Sequence, residues 1–232
     1  MILNIESATD MCSVSISDGN RTLALAEIAQ TNQHAAKMTR LIESVLNETG
    51  LQMQDISAVA VSNGPGSYTS LRVGISTAKG VCFARKIPLI AVDTLAALAD
   101  AAAMVAPDAD FFIPMIDARR MEVYCAIFEK KEGKITRNAE IKTFEPRIID
   151  ENSFKNWFDE GKKIAFCGNG AAKCAAVLNY ENAIFLTEIV CSAIHLAIQS
   201  HQDFVNKKFV DVAYHVPEYG KMPNITTPKK LL

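Results

Sequence analysis

Much of the usual machinery of a catalytic domain is missing from this chain. Its six cysteines, Cys12, Cys82, Cys125, Cys167, Cys174 and Cys191, form no Cys-x-x-Cys pair, and several lie in apolar runs. They read as free, buried, reduced thiols of a cytosolic protein. No window of about 18 apolar residues exists, so no membrane span is expected. The opening residues 1–6 lack a basic region and are too short an apolar run for a signal peptide. There is no G-x-S-x-G elbow. Neither of two phosphate motifs is complete: the Walker pattern needs a lysine that is absent here, and G-x-G-x-x-G would need glycine where Thr69 stands. The four histidines, His34, His195, His201 and His215, are dispersed and form no His-x-x-x-His. Net charge is −2, which gives no global attraction for nucleic acid or an anionic membrane. If the chain serves a nucleic-acid pathway, another component grips the nucleic acid.

What is present is an ordinary globular balance. The chain has 232 residues, 49% hydrophobic and 22% charged, enough for one large domain or two of about a hundred residues each. The most informative stretch is Asn63-Gly64-Pro65-Gly66-Ser67-Tyr68-Thr69-Ser70-Leu71-Arg72-Val73-Gly74. An apolar run, residues 58–61, leads in, and a helical segment follows to about Arg85. Glycines around a proline fix a tight turn where backbone approaches backbone. Ser67 or Thr69 is placed to cap the helix. A glycine turn at a helix start is also a ready anion site. Both readings stand on spacing alone: a phosphate cradle, or a strand-to-helix turn that needs two glycines.

Periodicity extends the pattern. Three antiparallel-leaning strands are expected at 1–6, 12–17 and 22–28, with a hairpin turn at Asp18-Gly19-Asn20. Met38, Leu41, Ile42, Val45 and Leu46 fall at three- and four-residue steps, predicting an amphipathic helix over 33–49 ended by Gly50. Then come a strand at 58–62, the glycine turn, a helix over 69–85, a strand at 87–92, and an alanine-rich helix over 94–105 capped by Thr94. Residues 107–110 look like a junction, and the order repeats. Strands are expected at 111–117, 123–128 and 140–144, then a helix over 152–159. A strand at 163–167 is followed by the turn Gly168-Asn169-Gly170 and a helix to Leu178. A strand at 183–185 and a long helix over 189–206 complete the series. Pro217, Pro223 and Pro228 make the tail, 211–232, extended or loose. A duplicated β-β-β-α-β-α-β-α unit is the order of the actin-like ATPase superfamily, so the fold class is α/β. Two subdomains are expected, at 1–106 and 107–210, with the tail after them.

Four strings stand in order: Ile5-Glu6-Ser7-Ala8-Thr9 with Cys12-Ser13-Val14, the glycine turn with Leu71-Arg72-Val73-Gly74, Thr94-Leu95-Ala96-Ala97-Leu98, and Ile116-Asp117-Ala118-Arg119 with Glu122-Val123-Tyr124. Together they closely resemble the TsaB (YeaZ) family of tRNA threonylcarbamoyladenosine biosynthesis proteins. The resemblance covers residues 1–125 and fades beyond. Ser70 stands where the family usually has glycine, and Arg120-Met121 fill the middle of the second motif.

The resemblance implies a duplicated actin-like fold and an inactive relative of the catalytic subunit TsaD. That relative pairs with TsaD and with the ATPase TsaE in attaching threonylcarbamoyl to an adenosine beside the anticodon. It implies motif residues Gly64, Pro65, Gly66, Ser67, Asp117, Arg119 and Glu122. The catalytic subunit holds its metal with a His-x-x-x-His, and running this sequence alongside puts Thr94 and Leu98 there; leucine ligates nothing. No catalytic and no metal-ligating residue is therefore expected, and no cofactor for this chain alone, with ATP or ADP left to the junction of the complex. tRNA is expected to be met only indirectly, and a homodimer is expected when the chain is alone.

Function then falls to a surface. The helix over 33–49 carries an apolar stripe, and the helix over 69–85 has apolar residues on more than one face, Val81 and Phe83 among them. They either cover each other and the sheet, or dock a partner through Met38, Leu41, Ile42, Val45, Leu71, Arg72, Ile75 and Lys79. Three local readings stay open: Glu6 and Asp10 as nucleotide-site carboxylates, Arg119 gripping an anion, and Arg119 pairing with Asp117 or Glu122. The rival from another class is a stand-alone glycoprotease-like metallopeptidase or small-molecule kinase on the same fold.

Overall fold

The structure is a computed structural model that describes residues 1–29, 34–131, 133–138 and 145–219. At its first centre is β1 (Ile2–Glu6). On one side β2 (Met11–Asp18) and β3 (Arg21–Ala29) add in antiparallel; on the other, β4 (Ala58–Ser62) and β5 (Leu89–Val92) add in parallel. Side chains alternate across β1 as strand geometry requires. Leu3 and Ile5 join Val59, Val61, Met38, Ile42, Val45 and Ile75 in one cluster under α1 (His34–Thr49) and α2 (Tyr68–Arg85). On the other face Ile2 joins Ala58, Ala60, Ile90 and Val92 against Leu196.

The second half repeats this order. β6 (Phe111–Asp117) is central. Beside it lies one long antiparallel neighbour in two lengths, β7 (Glu122–Cys125) and β8 (Ile127–Lys131), broken at Ala126. The third position is divided too: β9 (Lys134–Asn138) pairs with β8, and β10 (Arg147–Ile148) with β7. On the other side of β6, β11 (Ile164–Cys167) and β12 (Ala183–Leu186) are parallel. Counted in this way, both sheets have the order 3-2-1-4-5, the duplicated topology of the actin-like fold.

Several expected elements differ. The strand expected at 140–144 lies outside the described residues. Asp93, not Thr94, caps α3 (Thr94–Val105), its carboxylate accepting from Ala96 N at 2.9 Å. The helix expected over 152–159 is shortened to α4 (Lys155–Asp159), and the one expected to reach Leu178 to α5 (Ala171–Cys174). The long helix expected from Ile189 starts only after Ser192, which is extended and accepts from Ile194 N. Backbone there is committed to the first sheet: Ala193 N donates to Ser13 Oγ at 2.6 Å, and Ser15 Oγ donates to Ala193 O at 3.0 Å. A 3-10 turn, Ala193–His195, then leads into α6 (Leu196–Val205).

Packing crosses the expected subdomain boundary at 106. α3 lies on β6 and β11, and α6 lies on β1, β4 and β5. Each of these helices therefore covers the sheet of the other half, and Gln199 Nε2 donates to Asp100 Oδ2 at 2.5 Å between them. Nor is the described tail loose. Val210 bridges to Leu89, and residues 211–219 run along α2 from Phe83 and Lys79 back to Tyr68.

Candidate functional site

The glycine turn is locked by neighbours of its own chain. Ser67 N donates to Ala8 O at 2.7 Å, and a Cβ at Gly66 would run into that same carbonyl. Gly64 (φ +111) donates its N–H to Thr94 Oγ1 at 3.1 Å, and its carbonyl accepts from Thr94 N at 3.1 Å. A Cβ at Gly74 would strike Ser7 Oγ, so this glycine lets α2 seat directly on the end of β1. Two N–H groups of the turn, those of Gly64 and Ser67, are thus already bonded within the chain. Ser67 occupies the N-cap position of α2 without a side-chain cap bond; its Oγ accepts from Ser70 Oγ instead.

Glu6 lies behind this turn with 1% of its surface exposed. Burial pushes its carboxyl up to about 7, against the pull of Ala8 N, which donates to Oε1 at 2.6 Å, and of Ser62. A carboxyl so enclosed cannot reach a ligand in solvent, which argues against its reading as a nucleotide-site group. Asp10 is exposed at the next turn.

The second half has the matching arrangement. Gly170 N donates to Met115 O at 2.9 Å, and a Cβ at Gly168 would strike that carbonyl. Asp117 N donates to Asn169 Oδ1 at 3.1 Å. The carboxylate of Asp117 pairs with Lys173, whose Nζ also donates to Glu122 O at 2.7 Å. Arg119 meets Asp117 only through its backbone N–H, at 2.9 Å, and its side chain is exposed. Of the readings left open for Arg119, a side-chain pair with Asp117 is not formed; Lys173, from α5, meets that carboxylate instead. Arg119 (φ +69) and Arg120 (φ +51) both take left-handed backbone, uncommon for side-chain-bearing residues.

Most of the side chains expected at an interface belong to the core. Met38, Ile42, Val45, Leu71 and Ile75 are 1%, 6%, 0%, 0% and 3% exposed. They face the sheet, because the apolar stripe of each helix is needed to cover β1, β2 and β4. Leu41 is half-buried against the same cluster. Arg72 is exposed and holds its guanidinium 4.8 Å above the Tyr68 ring. Lys79 is half-buried and donates to Ala213 O and His215 O, at 2.9 and 3.0 Å.

Those two bonds belong to a strap. His215 Nε2 lies 2.9 Å from Asn63 Oδ1, Glu218 N donates to Asn63 O at 2.9 Å, and Tyr219 meets Tyr68 with ring centroids 4.3 Å apart. Beside the strap, Phe83 (82%), Tyr214 (86%) and Val216 (67%) are exposed. A cavity of about 470 Å³ is lined by Lys79, Gly80, Phe83, Asp211, Val212 and Ala213. Phe83 was legible as an apolar residue on a second face of α2. Tyr214 and Val216 were missed, because prolines after 216 made the tail read as loose.

Thr94 and Leu98, where a metal-binding histidine pair would fall, are 1% exposed. The first bonds Gly64, and the second packs against Phe112 and Ile116. Among the described residues no group of three His, Cys, Asp or Glu is arranged to hold a metal ion. No described helix is long and apolar enough to cross a membrane.

The model of the family described as "TsaD: tRNA N6-adenosine threonylcarbamoyltransferase" matches residues 25–227. The tRNA threonylcarbamoyladenosine biosynthesis protein TsaB of Escherichia coli is 32% identical over 65% of this chain and 64% of its own. Its counterpart from Buchnera aphidicola (of Acyrthosiphon pisum) is 30% identical over 68% of this chain and 72% of its own. The chain thus spans about two thirds of the length of these curated relatives. YeaZ from Pseudomonas aeruginosa superposes with a TM-score of 0.77 at 23% identity, covering 94% of this chain and 98% of that one, a likeness of fold. With a matched family model across most of its length and these TsaB relatives, the chain belongs to the TsaD-related threonylcarbamoyladenosine family, in its TsaB (YeaZ) branch.

Proposed function

We propose that this chain is a non-catalytic subunit for threonylcarbamoyl transfer to the adenosine beside the tRNA anticodon. In this reading it pairs with the catalytic subunit TsaD and recruits the ATPase TsaE. The observation that carries the proposal is the exposed apolar group Phe83, Tyr214 and Val216, on the outer side of α2 and its strap, in a family of tRNA-modification proteins. Thr94 and Leu98, packed where catalytic relatives carry ligands, support the non-catalytic part. Arg72, Leu41 and Lys79 border the docking face; the buried stripe of α1 does not take part. ATP or ADP sits at the junction of the complex and not in this chain alone, and tRNA is held by the partner. Without TsaD, two copies pair through the same face.

Calorimetric titration of the chain with TsaD tests the proposal. Association expected at micromolar concentration is lost in Phe83→Asp, whose melting temperature stays that of the parent because the residue is exposed. No heat from the parent chain at tens of micromolar overturns the pairing. Reconstituting the tRNA modification with and without this chain then tests the role: equal product without it overturns the subunit reading.

A further inference from the structure

A second cavity lies in the other half, far in sequence from the docking face. Its volume is about 520 Å³, and it is lined by Ile127 of β8, by Arg147 of β10 with Ile149 just after it, and from the α4 region by Phe154, Lys155 and Trp157. Arg147 stands out. Its Nε is buried without a hydrogen-bond partner, and among the described residues no carboxylate pairs with it. Arginine is always charged; here the side chain is half-buried, and Nε is the atom of it that is enclosed without a partner. Nε therefore has capacity for an acceptor that the described residues do not supply.

The wall opposite adds two observations. Phe154 takes left-handed backbone (φ +66), uncommon for a bulky residue, as it leads into α4. Trp157 is held between Phe111, with centroids 4.4 Å apart, and Phe154, at 5.9 Å. This sets an aromatic wall in the same cavity as Arg147. Lys155 is engaged by Asp159 at 3.0 Å, so it adds little free charge, and Glu160 also lines the cavity. A small inorganic ion would satisfy Arg147 and leave the apolar wall empty.

We propose that this cavity is a binding site for a small organic anion, with a carboxylate or phosphate head on Arg147 and a flat apolar body against Ile127, Ile149, Phe154 and Trp157. A planar guanidinium recognises either head in bidentate fashion. The proposal is independent of the docking face and of the subunit role.

Trp157 is the only tryptophan in the chain, so intrinsic fluorescence reports on this cavity. The full chain is titrated with benzoate, phenyl phosphate and neutral benzamide. A saturable change with benzoate, phenyl phosphate or both is expected, with benzamide at least tenfold weaker; which anion binds identifies the head group. Arg147→Gln weakens the anion at least tenfold and leaves benzamide unchanged, and Arg147→Lys keeps part of the affinity. No saturable change with either anion overturns the proposal, as does equal binding of benzamide or unaltered binding by Arg147→Gln. Should Arg147→Gln fail to fold, the contrast between anions and benzamide in the parent chain decides.

Discussion

Replacing Glu6 with glutamine should stabilise the protein, and the gain should grow with pH. The carboxyl is enclosed at the end of β1, and burial lifts it from its ordinary value of 4.5 to about 7. Between those values the native state holds a proton that the unfolded chain has released, so native stability falls as pH rises. Above about 7 both states are ionised and the loss is complete. The displacement corresponds to about 3 kcal/mol, and about 2.5 kcal/mol of it develops between pH 5 and pH 8, mostly below pH 7. Glutamine keeps an oxygen for Ala8 N and cannot ionise. Guanidinium unfolding of parent and Glu6→Gln at a series of pH values isolates the effect, because every other titrating group cancels in the difference. A difference that stays flat from pH 5 to pH 8 refutes the enclosed, proton-holding carboxyl.

Gly66→Ala and Gly74→Ala each force a Cβ into an occupied place, the Ala8 carbonyl and Ser7 Oγ. Each should lower stability by about 2–3 kcal/mol in thermal unfolding, whereas Gly80→Ala, in open space, should not. Lys79→Met removes the donor to Ala213 and His215 and should speed amide exchange across 211–219 with little change in β1 or β4. Burial, then Lys79, holds the His215 imidazole below its ordinary 6.5. The unfolded chain therefore takes its proton first as pH falls. The strap should loosen below about pH 6.5 and stay firm above it, and exchange measured in His215→Gln should lose that dependence.

Sequence made the architecture legible because its signals are local. Alternation in 12–17, three- and four-residue steps in 38–46, and a glycine turn after each fourth strand need no tertiary knowledge. The same stripe misled at the site. Met38, Ile42 and Val45 are apolar whether they meet a partner or their own sheet, and periodicity cannot tell these apart. The α6 start was obscured because Ser13 and Ser15, more than 170 residues away, set the backbone at Ala193. Arg119 was linked to Asp117 by nearness in the chain, while Lys173 reached it through the fold. Prolines suggested a free tail, but Lys79 and Asn63 hold its described part with bonds that no local pattern announces.

The trade of α3 and α6 between the sheets limits how this chain can be divided. A fragment ended at residue 106 keeps a helix whose apolar side has lost β6 and β11, and leaves Ile2, Ala58 and Ile90 facing water where Leu196 had been. The complementary fragment has the reverse deficit. Neither piece is expected to fold as a domain by itself, although each carries a whole copy of the repeat. Two half-chains mixed in solution should therefore recover structure only together, and the intact protein should melt in one step: the duplication visible in its topology has been erased from its cooperativity.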